Sequence, residues 1–245
     1  MKVVAVIPAR FASSRFPGKP LALIAKRPMI EWVYERVVKS KLFSEVIVAT
    51  DDKRILNVVK GFGGNAVMTK SDLPSGTDRV AAAVKGLKAD WIMNVQGDEP
   101  LISASILKLL IQRARKVKVS SIITAASKIS DEKIYSDPDS VKVITNSAGR
   151  ALYFSRSPIP YLGRADSDKS VQPLKHVGIY LFHKEALRKF VKANPSPLEL
   201  TEKLEQLRAF DLAIPIEVVE SEYHPINVDR PLDIRKVEAA VRKLG

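Results

Sequence analysis

Three cations, Arg10, Arg15 and Lys19, stand close together in the segment Ile7-Pro8-Ala9-Arg10-Phe11-Ala12-Ser13-Ser14-Arg15-Phe16-Pro17-Gly18-Lys19-Pro20. A basic loop with a flexible Gly18, starting at Ala9 directly after an apolar run, has the charge and the place to cradle a triphosphate. In a parallel α/β sheet, ligands sit beyond the carboxyl ends of the strands. It is not a Walker loop, because Ser13 stands where the first glycine belongs and Pro20 replaces the magnesium-binding hydroxyl. Alone, such a loop reads equally well as solvated surface charge; its position after the first strand favours phosphate.

A second signal is Asn94-Val95-Gln96-Gly97-Asp98-Glu99-Pro100, also at a strand end. Magnesium takes one or two protein carboxylates, keeps some waters and completes its shell with substrate phosphate oxygens. Asp98 suits that habit, and Asp229 in Asn227-Val228-Asp229-Arg230-Pro231 is the candidate second carboxylate, although an aspartate there also serves as a helix cap. The third signal, Ser75-Gly76-Thr77-Asp78-Arg79, enters a helix. Its backbone amides and Arg79 can hold phosphate or read a base, and a plain turn with a cap fits the same letters.

Further along, Tyr153-Phe154-Ser155-Arg156 and His176-Val177-Gly178-Ile179-Tyr180 set polar groups among apolar ones. His176 and Tyr180 are four apart and so share a strand face, as a polar pocket or as core. Leu200, Leu204 and Leu207 mark a buried stripe with Glu205 and Gln206 beside it, facing a ligand or solvent. Gly61-Phe62-Gly63-Gly64-Asn65-Ala66 matches a dinucleotide fingerprint by letter, but it follows a helical run and precedes a strand, the reverse of the required order. With three histidines and no cysteine, a zinc centre, a disulfide and a thiol nucleophile drop out, and no G-x-S-x-G elbow points to hydrolysis.

Positioning these groups falls to an α/β scaffold. Apolar β-branched runs at 3–7, 45–50 and 91–95 alternate with helical patterns at 29–39 and 78–87, the rhythm of a Rossmann-like, mostly parallel sheet flanked by helices. From about residue 120 the rhythm changes to strands at 120–126, 141–145, 151–154 and 177–182. Asn146-Ser147-Ala148-Gly149 forms the hairpin turn between the second and third of these. A helix at 198–210, a strand at 216–220 and a helix at 231–243 complete the chain. We read a single domain over 1–245, with a nucleotide-binding core at 1–119 and 215–245 and a partly antiparallel insertion at 120–214.

The chain has 245 residues and a formal charge of +13, from 40 Lys and Arg against 27 Asp and Glu. That surplus favours a polyanionic partner, whether polyphosphate, nucleic acid or a membrane surface. Pro8 and Arg10 interrupt the first apolar run too early for a secretory signal. No stretch nears the roughly 20 apolar residues of a membrane span, so a cytoplasmic location is expected.

Taken together, residues 7–21, 94–102, 151–160, 176–180, 195–208 and 228–233 resemble the 3-deoxy-manno-octulosonate (Kdo) cytidylyltransferases, essentially end to end. The blocks Pro-Ala-Arg…Pro-Gly-Lys-Pro, Val-Gln-Gly-Asp-Glu-Pro and Leu-Tyr-Phe-Ser-Arg are jointly specific; the first alone marks sugar nucleotidyltransferases in general. Asn227, where the family favours glycine, and Leu181-Phe182, in place of the commoner Gly-Tyr, depart from the pattern. The resemblance implies the nucleotide-diphospho-sugar transferase fold. It implies that Ala9, Arg10, Arg15 and Lys19 bind CTP phosphates, that Ser75, Gly76 and Arg79 lie around the cytidine, and that Asp98 and Asp229 hold magnesium. Gln96, Arg156, His176, Tyr180, Glu205 and Gln206 would line the Kdo pocket. It further implies a homodimer built through the insertion and a role in lipopolysaccharide precursor supply. The rival readings are a cytidylyltransferase for another acidic sugar, such as sialic acid, and, more remotely, a basic nucleic-acid-binding protein.

Overall fold

An unbroken apolar run such as Val3-Val4-Ala5-Val6-Ile7 is stable as a strand only where both faces of its sheet are covered. In a computed structural model that describes residues 1–12, 16–163 and 171–242, this run forms β1 (Val3–Ala9), almost wholly buried. A short antiparallel pair follows, β2 (Leu23–Ile24) with β3 (Arg27–Pro28). Then come α1 (Met29–Lys39), β4 (Glu45–Thr50), α2 (Lys53–Gly61), β5 (Ala66–Met68), α3 (Gly76–Ala83), β6 (Trp91–Asn94) and α4 (Ala104–Ala114). Strands β6, β1, β4 and β5 lie side by side in that order and all parallel, with α1, α2 and α3 packed on them. Parallel strands put their carboxyl ends on one edge, so the loops that follow β1, β4, β5 and β6 share a rim.

The chain divides into two compact units, Met1–Lys108 with Pro225–Gly245 and Leu109–His224. The second holds β7 (Ile122–Lys128), α5 (Glu132–Ser136), β8 (Lys142–Thr145), β9 (Ala151–Ser155) and β10 (Leu174–His183). It continues with α6 (Lys184–Lys192), α7 (Pro197–Glu202), α8 (Arg208–Asp211) and β11 (Ile216–Glu220). Pairing of β7 with β10, β10 with β8 and β8 with β9 is antiparallel, as the changed rhythm requires. The turn between β8 and β9 is closed by Asn146, whose Oδ1 accepts from the Ala148 and Arg150 amides at 3.0 Å each. Gly149 there adopts φ 77°, a conformation glycine enters without cost. The second unit is wider than the insertion expected over 120–214, because β11 runs parallel to β7 and pairs along its length.

Three helices differ from expectation, the first being α3, expected over 78–87 but running Gly76–Ala83. The apolar stripe at 198–210 predicts one continuous helix, but α7 stops where Lys203 turns left-handed at φ 55°. A separate turn of 3₁₀ helix, Glu205–Leu207, then leads into α8. Ser196 and Glu199 form a full capping box at the start of α7. Across the break, the buried Arg208 Nε donates to Glu199 Oε2 at 2.8 Å; that tertiary pair replaces the helical register. The last helix, α9 (Asp233–Arg242), begins two residues after the expected Pro231, and its expected end at 243 lies outside the described residues.

Candidate active site

In the first unit, β1 delivers Ala9 and Arg10 to the rim. The Gly18 amide donates to the Phe11 carbonyl at 2.9 Å. Gly18 has φ 70°, and a Cβ there would stand 3.1 Å from the Phe11 ring, so only glycine fits without displacing it. Phe11 is covered on its face by the Arg54 guanidinium, 3.4 Å from the ring centroid. Arg15, expected to contact phosphate, lies outside the described residues.

Lys19 follows Gly18, and the two aspartates meet at its ammonium. Lys19 Nζ donates to Asp98 Oδ2 at 2.7 Å and to the Val228 carbonyl at 3.0 Å, and Asp229 Oδ1 lies 3.9 Å away. Asp98 and Asp229 are 131 positions apart in sequence, yet the backbone joins them, since the Val228 amide donates to the Asp98 carbonyl at 2.9 Å. Val228 is itself sealed in a cluster with Ile24, Met29 and Val237, which anchors the segment that presents Asp229. Asp229 stands ahead of α9, which begins at Asp233, and the Asp229 and Arg230 amides donate to Asp233 Oδ2 at 3.1 and 2.9 Å. Two carboxylates within reach of one cation are an oxygen-donor set that suits magnesium.

Beside this cluster opens a cavity of about 370 Å³ whose walls include Ala9, Arg10, Lys19, Gly76, Gln96 and Asp98, so six of the expected residues are brought together. Gly97 is required by the packing, because a Cβ there would come 2.9 Å from the Pro8 carbonyl oxygen. Ser75 caps α3, accepting from the Asp78 amide at 3.1 Å while its hydroxyl donates to Asp78 Oδ2 at 2.7 Å. Arg79 does not open into solvent. Fully buried, it donates to Asp51 Oδ2 at 2.8 Å, to Thr69 Oγ1 and to the Lys70 carbonyl at 3.3 Å. It thereby ties α3 to the loops after β4 and β5. Burial lowers its pKa, Asp51 opposes that shift, and the nearby Arg10 adds to it.

The second unit assembles its own polar cluster. His176 and Tyr180 share a face as expected, but through a β-bulge: His176 pairs with Ala126 and Tyr180 with Thr124, leaving Gly178 and Ile179 unpaired in the register. Four residues of regular strand would span roughly 13 Å; the bulge brings the two rings to 5.4 Å between centroids. Thr124 fills the bulge. Its hydroxyl donates to the Ile179 carbonyl at 2.7 Å and is therefore an acceptor toward His176 Nε2, 2.9 Å away. That assigns the Nε2-protonated neutral tautomer. Burial drives the His176 pKa down to about 3, and Phe154 meets its ring edge-on at 5.0 Å. The Tyr180 hydroxyl is pushed well above its ordinary value by burial and by the charge of Glu205. Arg156 is held by its Nε on the Glu202 carbonyl and its Nη1 on the Pro138 carbonyl, both at 2.9 Å. Glu205 and buried Gln206 sit on the 3₁₀ turn after α7.

Against known proteins, the cytidylyltransferase family pattern matches residues 4–216. The 3-deoxy-manno-octulosonate cytidylyltransferase of Geobacter sulfurreducens is 45% identical over 245 residues, covering 97% of this chain and 98% of its own. This chain belongs to that family. The Thermodesulfovibrio yellowstonii cytidylyltransferase of the same name is 44% identical, with 97% of each chain covered. A solved structure of CMP:2-keto-3-deoxy-manno-octonic acid synthetase complexed with CTP matches at a TM-score of 0.94 and 41% identity over 100% of both chains. A cytidylyltransferase from Leptospira borgpetersenii, 19% identical with a TM-score of 0.66 over 99% of this chain and 87% of its own, shares the fold.

In this cytidylyltransferase, residues that brace the candidate site are not marked in the sequence. Asp51 and Thr69 brace Arg79, Thr124 sets the His176 tautomer, and Glu202 fixes Arg156 through two oxygens. None carries a local signal, since each acts on a partner distant in sequence.

Proposed function

We propose that this chain transfers CMP from CTP to the anomeric hydroxyl of Kdo, giving CMP-Kdo and pyrophosphate. The observation that carries the reading is the convergence of Asp98, Asp229 and Lys19 beside a cavity walled by Arg10, within a chain 45% identical end to end to a Kdo cytidylyltransferase. The sugar oxygen attacks the α-phosphorus in line, forming the new P–O bond as the bond to pyrophosphate breaks. Such transfer asks little covalent chemistry of a protein, so catalysis rests on positioning and charge neutralisation. Arg10 and Lys19 neutralise phosphate charge, while Ser75 and Gly76 wall the cytidine side with Arg79 as the strut behind them. In the second unit, Arg156 meets the sugar carboxylate, and neutral His176, Tyr180, Glu205 and Gln206 supply donors and acceptors for its hydroxyls; Gln96 serves both substrates.

Asp98 and Asp229 would hold magnesium, consistent with both already approaching one cation. Bound there, that ion supplies Lewis-acid neutralisation of the charge that builds on the phosphates. A homodimer in the cytoplasm, feeding lipopolysaccharide synthesis, completes the proposal. Among the described residues no helix is long and apolar enough to cross a membrane.

Incubation with CTP, Kdo and magnesium should yield CMP-Kdo by mass, and sialic acid in place of Kdo should yield none. Asp98→Asn should cut turnover by roughly two orders of magnitude or more without loss of fold. Near wild-type turnover by that variant would remove the metal assignment, and a preference for sialic acid would shift the substrate.

A further inference from the structure

Lys142, the first residue of β8, is completely buried. Its ammonium meets three backbone carbonyls, donating to Asp137 at 2.9 Å, to Arg156 at 2.6 Å and to Ser140. An ammonium has three protons, so the set is complete. Burying a charge is expensive unless every proton is matched, and burial pulls the Lys142 pKa below its ordinary value while Asp137 opposes the shift. The charge at this place is spent on the backbone, fixing three carbonyl oxygens.

Two of those carbonyls belong to the turn at 137–140, and the third is that of Arg156. The same turn contains Pro138, whose carbonyl accepts from Arg156 Nη1 at 2.9 Å. Lys142 therefore grips both the main chain of Arg156 and the turn against which its guanidinium rests. On the other side, Glu202 accepts from the Arg156 amide at 3.0 Å and from Nε at 2.9 Å. With Nε and Nη1 committed to carbonyls, the guanidinium is held in one orientation, and Nη2 is left for a ligand.

We infer that Lys142 is a positioning residue for Arg156, orienting its guanidinium for the carboxylate of the acidic sugar through the 137–140 turn. The inference rests on the assignment of Arg156 to the sugar made above. An arginine whose guanidinium is held in one orientation gains geometric selectivity for a carboxylate that a loose one lacks. Loss of the buried ammonium should then weaken sugar recognition while leaving nucleotide recognition alone.

The test is steady-state pyrophosphate release by full-length enzyme, varying Kdo and CTP separately, for wild type, Lys142→Met, Lys142→Gln, Arg156→Met and the Lys142→Met/Arg156→Met double variant. Lys142→Met should raise the KM for Kdo about tenfold or more with the KM for CTP within about twofold, and Lys142→Gln should fall between it and wild type. Since Lys142 acts through Arg156, the double variant should be no worse for Kdo than Arg156→Met alone. Equal damage to both KM values, or an additive double variant, overturns the inference. So does a Lys142→Gln enzyme with unchanged KM for Kdo, or failure of both Lys142 variants to fold, which would make Lys142 a purely structural residue. An unchanged KM for Kdo in Arg156→Met removes the Arg156 assignment instead, and that outcome is separate from the others.

Discussion

His176 makes the stability of the second unit depend on pH, and the size of the effect follows from its surroundings. Its neutral ring donates from Nε2 to a threonine whose own proton is spent on the Ile179 carbonyl, and the pKa sits at about 3 instead of 6.5 because the ring is buried. Between those values the unfolded chain binds a proton that the folded one refuses, so the folded state loses stability as pH falls below 6.5 and keeps losing it down to about 3. At 1.36 kcal/mol per unit, the loss from this one group is about 2 kcal/mol by about pH 5, and about 5 kcal/mol if the protein stays folded to the lower limit. His176→Gln keeps a donor and cannot titrate, so it should be less stable at neutral pH and much flatter with pH. The assay is urea unfolding of both proteins at about pH 7.5 and about pH 5, with ΔG from linear extrapolation. Both tryptophans, Trp32 and Trp91, lie in the first unit, so the probe has to be far-UV circular dichroism or amide exchange in β10. The expected difference in pH dependence between the two proteins is about 2 kcal/mol. If both lose the same stability to within about 0.5 kcal/mol, His176 is not held neutral, and the tautomer and the pocket reading fall with it.

Other outcomes can be checked on the same protein. Gly97→Ala places a methyl carbon against the Pro8 carbonyl; overpacking of this kind costs about 1 to 3 kcal/mol. The Asp98 loop should move to relieve it, seen as a lower melting temperature together with weaker CTP binding by calorimetry. Arg79→Met leaves Asp51, only 12% exposed, without its charge partner, and breaking a buried pair costs about 3 to 5 kcal/mol. Thermal melting should drop by roughly 10 °C, and an unchanged melt would mean Arg79 braces nothing.

How much of this was legible beforehand differs by residue for physical reasons. The strands of the first unit are readable because an apolar β-branched run between turn residues has few alternatives, and the order of elements around the glycine-rich segment at 61–66 is as the sequence suggests, with α2 before it and β5 after. The break in the helix expected over 198–210 is not legible because the apolar stripe of Leu200, Leu204 and Leu207 continues across it, while the stop comes with Lys203 turning left-handed and Arg208 closing on Glu199 across the break. The letters around Arg79 fit a ligand contact and a plain turn with a cap equally well, and its bracing role is visible only in the loops that fold back with Asp51 and Thr69. Alternation predicted that His176 and Tyr180 share a face, but their closeness came from a two-residue bulge that no local pattern marks.

By itself, the sequence determined the alternating α/β architecture, the cationic loop after the first strand and the acidic residue after β6, because periodicity and strand-end placement are local properties. Only the tertiary structure decided that Asp98 and Asp229 share one cation, since that depends on a single amide of Val228 reaching the Asp98 carbonyl and on Ile24, Met29 and Val237 sealing Val228 in place. Contacts between segments more than a hundred residues apart are chosen by packing of the whole chain, and no stretch of letters read on its own contains them.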